Sequence, residues 1–245
     1  MLWLLLLLWP LLFLQRALHR EIQIVFLLFT RQAEIAIALF SVLFLPGVLL
    51  HELSHYLMAL LLNVPIGRFS LIPQTMDDGR LQLGFIETAP TDFFRDALIG
   101  AAPLLAGGGF VAYAGLARLG LGSLWEALVS GSLEAFGAAL GSLPDQPDFW
   151  LWFYLAFAVG STMLPSESDR RAWRPVGLVL AGLLVISLLS GLGPWMLENL
   201  AAPLNSGLRT VDVVLGINAL LHLVLLPPTW LLHRLLNRLT GFDAA

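Results

Sequence analysis

His51-Glu52-Leu53-Ser54-His55 puts two imidazoles four residues apart, with a carboxylate between them. On a helix, residues so spaced share one face, about 6 Å from each other. Two such imidazoles suit one Zn²⁺, and Glu52 beside them suits a general base. The flanks sharpen this reading. Ile35 to Leu50 has no ionisable side chain, and Tyr56 to Leu62 is apolar again. A charged group at such a depth costs roughly 2.5 kcal/mol or more, so His51, Glu52 and His55 need partners or a task.

A catalytic zinc takes three protein ligands and keeps one position open. The chain has no cysteine, so the third ligand must be another His or a carboxylate. Asp169 is the leading candidate and Glu167 the alternative. Both lie just past the end of an apolar segment that Pro165 closes. A solvated charge cluster of Glu167, Asp169, Arg170 and Arg171 is the plain alternative. His222, inside the last apolar segment, is read as a hydrogen-bonded histidine of a helix bundle, and His233 as an interfacial charge.

The elements that must position these residues follow from composition and periodicity. The 245 residues are 58% hydrophobic and only 12% charged, which excludes an ordinary soluble domain. Mean hydropathy is +0.83. No basic run points to nucleic acid. The predicted fold is an all-α polytopic membrane protein with about six transmembrane helices and a small cytoplasmic β-hairpin. Met1 to Leu14 resembles a signal-peptide core without a basic start or an Ala-x-Ala cleavage site, and is expected to be a retained anchor. Gln15 to Gln32 reads either as an interfacial helix or as a continuation of that anchor.

The motif helix is expected from about Glu34 to Leu62, with Pro46-Gly47 as a possible kink. Arg68 to Ile72 and Arg80 to Ile86 alternate like strands around Asp77-Asp78-Gly79, a hairpin signal. Asp77 and Asp78 are read as turn residues. Further spans are expected over 93–119, 149–164, 175–192 and 211–232, with an acidic segment of short amphipathic helices over 120–148. Three units result: an anchor and interfacial segment over 1–32, a core over 33–174, and C-terminal helices over 175–245. If the motif helix runs from outside to inside, Arg68, Arg80, Arg95, Arg170, Arg171, Arg174, Arg234 and Arg238 fall on the cytoplasmic side. Only Arg118 and Arg209 then fall outside, as the positive-inside rule asks. Arg16, Arg20 and Arg31 fit this poorly if the first segment spans fully.

From Glu34 to Arg171 the chain resembles the site-2 protease family of intramembrane zinc metalloproteases, as a divergent member without a PDZ domain. The resemblance rests on the HExxH pattern in a membrane helix, a hairpin after it, and a span with Ala102-Pro103. In that family a later motif, Asn-x-x-Pro-(x)4-Asp-Gly, supplies the third ligand. Thr162 to Arg170 is similar, with Thr162 in place of Asn, Arg170 in place of Gly, and one residue fewer between Pro165 and Asp169. The resemblance implies Zn²⁺ on His51, His55 and Asp169, Glu52 as general base, and a membrane-anchored protein substrate cleaved within or next to the bilayer. The hairpin edge from Leu81 to Ile86, with Leu83 and Phe85, is expected to receive an unwound substrate segment as an added strand. Thr162 is expected at the substrate. The expected location is a prokaryotic cell membrane, as a multi-pass protein.

Two other functions stay open on sequence grounds. One is a scaffold of the same family that has lost peptidase activity. The other is a metal-handling transporter using His51, Glu52, His55 and His222, against which stands the lack of an internal repeat.

Overall fold

A computed structural model of the chain describes residues 2–71, 74–75 and 81–240, with the side chains of 2–5, 74–75 and 81–82 left out. The hairpin turn at Asp77-Asp78-Gly79 lies outside the described residues. Helices dominate: α1 (Leu2–Thr30), α2 (Ala33–Leu61), α3 (Phe93–Tyr113), α4 (Leu121–Val129), α5 (Leu133–Gly141), α6 (Phe149–Thr162), α7 (Trp173–Leu189) and α8 (Gly193–Thr240). A five-residue π turn, Ala114–Arg118, extends α3. Among the described residues, four strands lie between α2 and α3: β1 (Ile66–Ser70), β2 (Gln74–Thr75), β3 (Leu81–Gln82) and β4 (Phe85–Thr88).

Three of the described helices are long and apolar enough to cross a membrane: Ala33–Leu61, Phe93–Arg118 and Gly193–Thr240. The protein is therefore a helical membrane protein. The about six spans expected from sequence are not all matched by length, because α6 has 14 residues and α7 has 17. A bilayer core about 30 Å thick asks for some 20 helical residues. The first segment is a single helix to Thr30, so of the two readings of Gln15 to Gln32 the structure takes the continuation. The last span is also longer than its apolar stretch. α8 runs 48 residues, about 72 Å at 1.5 Å per residue, and contains Pro203, Pro227 and Pro228 without ending.

α1 lies along α8, and α2 packs on both α3 and α6. Leu11, Val111, Ala156, Val159, Val214 and Leu221 form one buried cluster where α1, α3, α6 and α8 meet. Leu18, Phe40, Phe44 and Phe157 form a second between α1, α2 and α6. Small residues set the closest approaches. A Cβ on Gly47 would collide with the Ala158 carbonyl and the Thr162 hydroxyl, so the α2 backbone meets the α6 backbone directly, one turn before His51. This is the packing that small residues permit between membrane helices.

β1 and β4 pair antiparallel, with a bulge between Ile66 and Phe69. The Arg68 guanidinium grips Glu87 across the pair at 2.6 and 3.0 Å. Its hydrogen bonds, with its charge, hold the exposed Glu87 carboxyl below the usual range. Asp92 then caps α3, accepting from the N–H groups of Phe94 and Arg95.

Candidate metal centre

α2 carries His51 and His55 on the face that meets α3 and α6. Each ring is tied by Nδ1 to a main-chain carbonyl. His51 Nδ1 donates to Thr162 O at 2.7 Å, and His55 Nδ1 donates to Ile99 O at 2.8 Å. A carbonyl only accepts, so both ring protons sit on Nδ1 and both Nε2 lone pairs point inward.

Those two carbonyls are free for local reasons. In a helix Ile99 O would accept from the N–H four residues on. That residue is Pro103, inside α3, which has no N–H. Thr162 is the last residue of α6, where carbonyls lack helical donors. The N–H that would have reached it, on Ser166, donates instead to Asp169 Oδ2 at 2.7 Å.

Asp169 completes the group. Its Oδ1 lies 3.3 Å from His55 Nε2 and its Oδ2 3.7 Å from His51 Nε2, while the two Nε2 atoms are 3.2 Å apart. All three ligand atoms fall within 4.8 Å of one another, and the group can hold a metal ion. Two lone pairs and a carboxylate converging on one point repel each other unless a cation lies among them. Protonating both rings instead would put two positive charges 3.2 Å apart. The donor set suits zinc: bonds of about 2.0–2.2 Å in a tetrahedron give ligand–ligand edges of about 3.3–3.6 Å.

The loop after α6 is fixed so that Asp169 reaches α2. Asp169 N–H donates to Ser166 Oγ at 3.3 Å, and Arg171 clamps Asp96 of α3 at 2.7 and 2.8 Å. Gly100 touches the Asp169 carbonyl, and a Cβ there would collide with it. Burial works to raise the Asp169 pKa, while the Ser166 N–H that donates to its Oδ2 favours the charged form. Glu167, the alternative ligand, stands exposed on the same loop and is not in the three-residue group.

Glu52 is buried at 7% exposure, and its Cγ packs beside Gly84 of the hairpin. It borders the same cavity as the three ligands, a space of about 1330 Å³. Leu83 and Phe85 also line it, as does Thr162. The Thr162 hydroxyl donates back to the carbonyls of Ala158 and Val159 at 3.2 Å. Leu81 is placed only as backbone, in β3. β4 pairs with β1 alone among the described strands, and Phe85 to Thr88 border the cavity.

His222 stands apart from this group. Fully buried, it bonds Ser161 Oγ at 3.0 Å and the Asn218 carbonyl at 2.8 Å. His233 pairs with Glu21 at 2.6 Å, joining α8 to α1. The carbonyls of Ile99 and Thr162 and the Arg171–Asp96 clamp are not singled out by the sequence, whereas Gly100 is, as one of a run of small residues that permits close approach. One signal was present: a proline four residues after Ile99 announces a free carbonyl.

No protein-family model, no curated protein and no solved structure matches this chain.

Proposed function

We propose that the chain is a zinc metalloprotease that cleaves a membrane-anchored protein within or next to the bilayer, and that it is a divergent relative of the site-2 proteases. The observation that carries this reading is the convergence of His51 Nε2, His55 Nε2 and Asp169 on one point beside Glu52. A zinc ion held by these three residues would supply Lewis acidity, acidifying water and polarising the peptide carbonyl.

The chain's own residues do the rest. Glu52 takes the proton from water as its oxygen attacks the carbonyl carbon. It then returns that proton to the departing amine nitrogen as the C–N bond breaks. The edge of β4 away from β1 offers main-chain hydrogen bonds to an unwound substrate strand, and Leu83 and Phe85 line the cavity that receives it. Unwinding is needed because a helix keeps its carbonyls bonded internally. Drug-sized ligand sites run to about 1,000 Å³. A cavity of about 1330 Å³ is large enough for a polypeptide segment.

In this reading the protein is multi-pass. The hairpin and the Asp169 loop share the cytoplasmic face, in a prokaryotic cell membrane. The decisive experiment is cleavage of a membrane-anchored reporter by reconstituted protein. Wild type should cut it, and chelator or Glu52→Gln should stop it. A scaffold would bind the reporter uncut in both forms. A metal-handling transporter would move metal and cut nothing.

A further inference from the structure

The last three residues of α6 each present a main-chain carbonyl that α6 itself leaves free. Ser161 O would accept from the N–H four residues on, and that residue is Pro165, which has none. Gly160 O and Thr162 O are among the terminal carbonyls that a helix leaves over. A different helix takes each one. Asn218 Nδ2 of α8 donates to Gly160 O at 2.9 Å, and Gln15 Nε2 of α1 donates to Ser161 O at 2.6 Å. His51 Nδ1 of α2 donates to Thr162 O at 2.7 Å. The end of α6 is thus a junction of four helices, and one of its three donors is a metal-binding ring.

The side chains around the junction are there for these bonds. Asn218 and His222 are fully buried and Ser161 nearly so. The side-chain oxygens of Gln15 and Asn218 are buried with no hydrogen-bond partner. An amide buried half-satisfied is unfavourable, and a leucine would avoid that cost. What each amide contributes is its N–H on α6. The Ser161 hydroxyl also departs from habit. Ser41, Ser187 and Ser190 bond back to the carbonyl four residues earlier, as helical serines do. Ser161 instead meets His222 Nε2 at 3.0 Å. His222 Nδ1 donates to the Asn218 carbonyl at 2.8 Å, so Nε2 accepts from the hydroxyl. Gly160 lets Asn218 come this close, since a Cβ there would collide with its amide.

Thr162 closes the helix, so no following helical bond restrains its peptide plane. Restraint comes from the two carbonyls before it. We propose that Gln15, Asn218 and His222 are positioning residues of the metal centre. They hold the last turn of α6 so that the Thr162 carbonyl keeps the His51 proton on Nδ1 and turns Nε2 toward His55 and Asp169. This rests on the metal-centre reading and not on cleavage.

The test uses full-length protein in detergent. Gln15→Met, Asn218→Leu and His222→Leu roughly keep volume, and each removes one bond to α6. Tyr154→Phe is the comparison. Tyr154 Oη also donates from α6 to α2, to Leu43 O at 3.0 Å, but about two turns before the junction. Competition with a zinc chelator should show affinity lowered about two- to tenfold in each of the first three, the worth of one hydrogen bond. Tyr154→Phe should match wild type. Gln15→Met with Asn218→Leu should lose less than the product of the single losses, because both act through one carbonyl.

A second readout needs no metal. Nitrogen-15 shifts of the His51 ring should show one Nδ1–H tautomer in wild type and Tyr154→Phe, and a mixture in Gln15→Met. Gln15 is only half-buried, so its variant is the mildest and decides by itself if the others fail to fold. A single tautomer with unchanged affinity in Gln15→Met overturns the proposal. So does an equal loss in Tyr154→Phe, which would reduce the junction to packing. Wild type that binds no zinc removes the metal-centre reading, and the tautomer then decides whether the junction sets the His51 ring.

Discussion

The main-chain carbonyl of Ile99 accepts the Nδ1–H of His55 at 2.8 Å, and it can do so because Pro103, four residues on, has no N–H to give it. A helix-weakening residue thereby fixes the tautomer of a metal-binding ring. Partners of this kind tune metal sites as much as the ligands do.

Pro103→Ala should therefore act with opposite signs on fold and site. An N–H returns to α3, and interior proline costs a helix about 3 kcal/mol. That N–H competes for the Ile99 carbonyl, so zinc affinity should fall, toward the 10- to 100-fold range seen when such partners are lost. Competition with a zinc chelator reads the effect. Unchanged affinity would show that the Ile99 carbonyl serves both donors.

Gly100→Ala should loosen the metal group from the other side. The new methyl meets the Asp169 carbonyl, which is backbone and cannot swing aside. Overpacking of this sort costs about 1–3 kcal/mol, and here the loop that carries Asp169 must move. Gly109→Ala on the same helix meets nothing within 4 Å and serves as the control. Equal zinc retention in the two variants would contradict the assignment.

Purified protein is expected to bind about one Zn²⁺ per chain, as three ligands on one ion imply. His51→Ala, His55→Ala and Asp169→Ala should each strip it, and Glu167→Ala should not. Elemental analysis decides the matter. Zinc lost with Glu167→Ala but kept with Asp169→Ala would move the third ligand by two residues.

Glu52→Gln should retain zinc and fold yet slow cleavage about 10²–10⁴-fold, the usual loss with a general base. The amide matches the carboxylate in size, so packing against Gly84 survives. It cannot take the proton from water. Equal cleavage by both forms would be incompatible with the proposed chemistry.

Single cysteines give the topology. A probe at Glu87 should label from the cytoplasmic side and one at Glu134, in α5, from outside, following the arginine distribution. Labelling of the Glu87 position by an impermeant reagent on intact cells would invert the orientation.

The sequence by itself determined the membrane class, the shared helix face of His51 and His55, and the hairpin after α2. Each depends on local periodicity or composition: i and i+4 on a helix, alternation on strands, apolar length against bilayer thickness. What only the tertiary structure decided is contact between distant segments. Asp169 joins residues more than a hundred positions away because Gly100 lets its loop lie against α3 and Arg171 clamps that loop to Asp96. The carbonyls of Ile99 and Thr162 are main-chain atoms, identical in every residue, so apart from Pro103 four residues after Ile99 no side-chain pattern announces them. The extension of α8 back through Pro203 to Gly193 was equally hidden. Its packing along α1, with the Glu21–His233 pair between them, sustains a helix that local propensity alone would break.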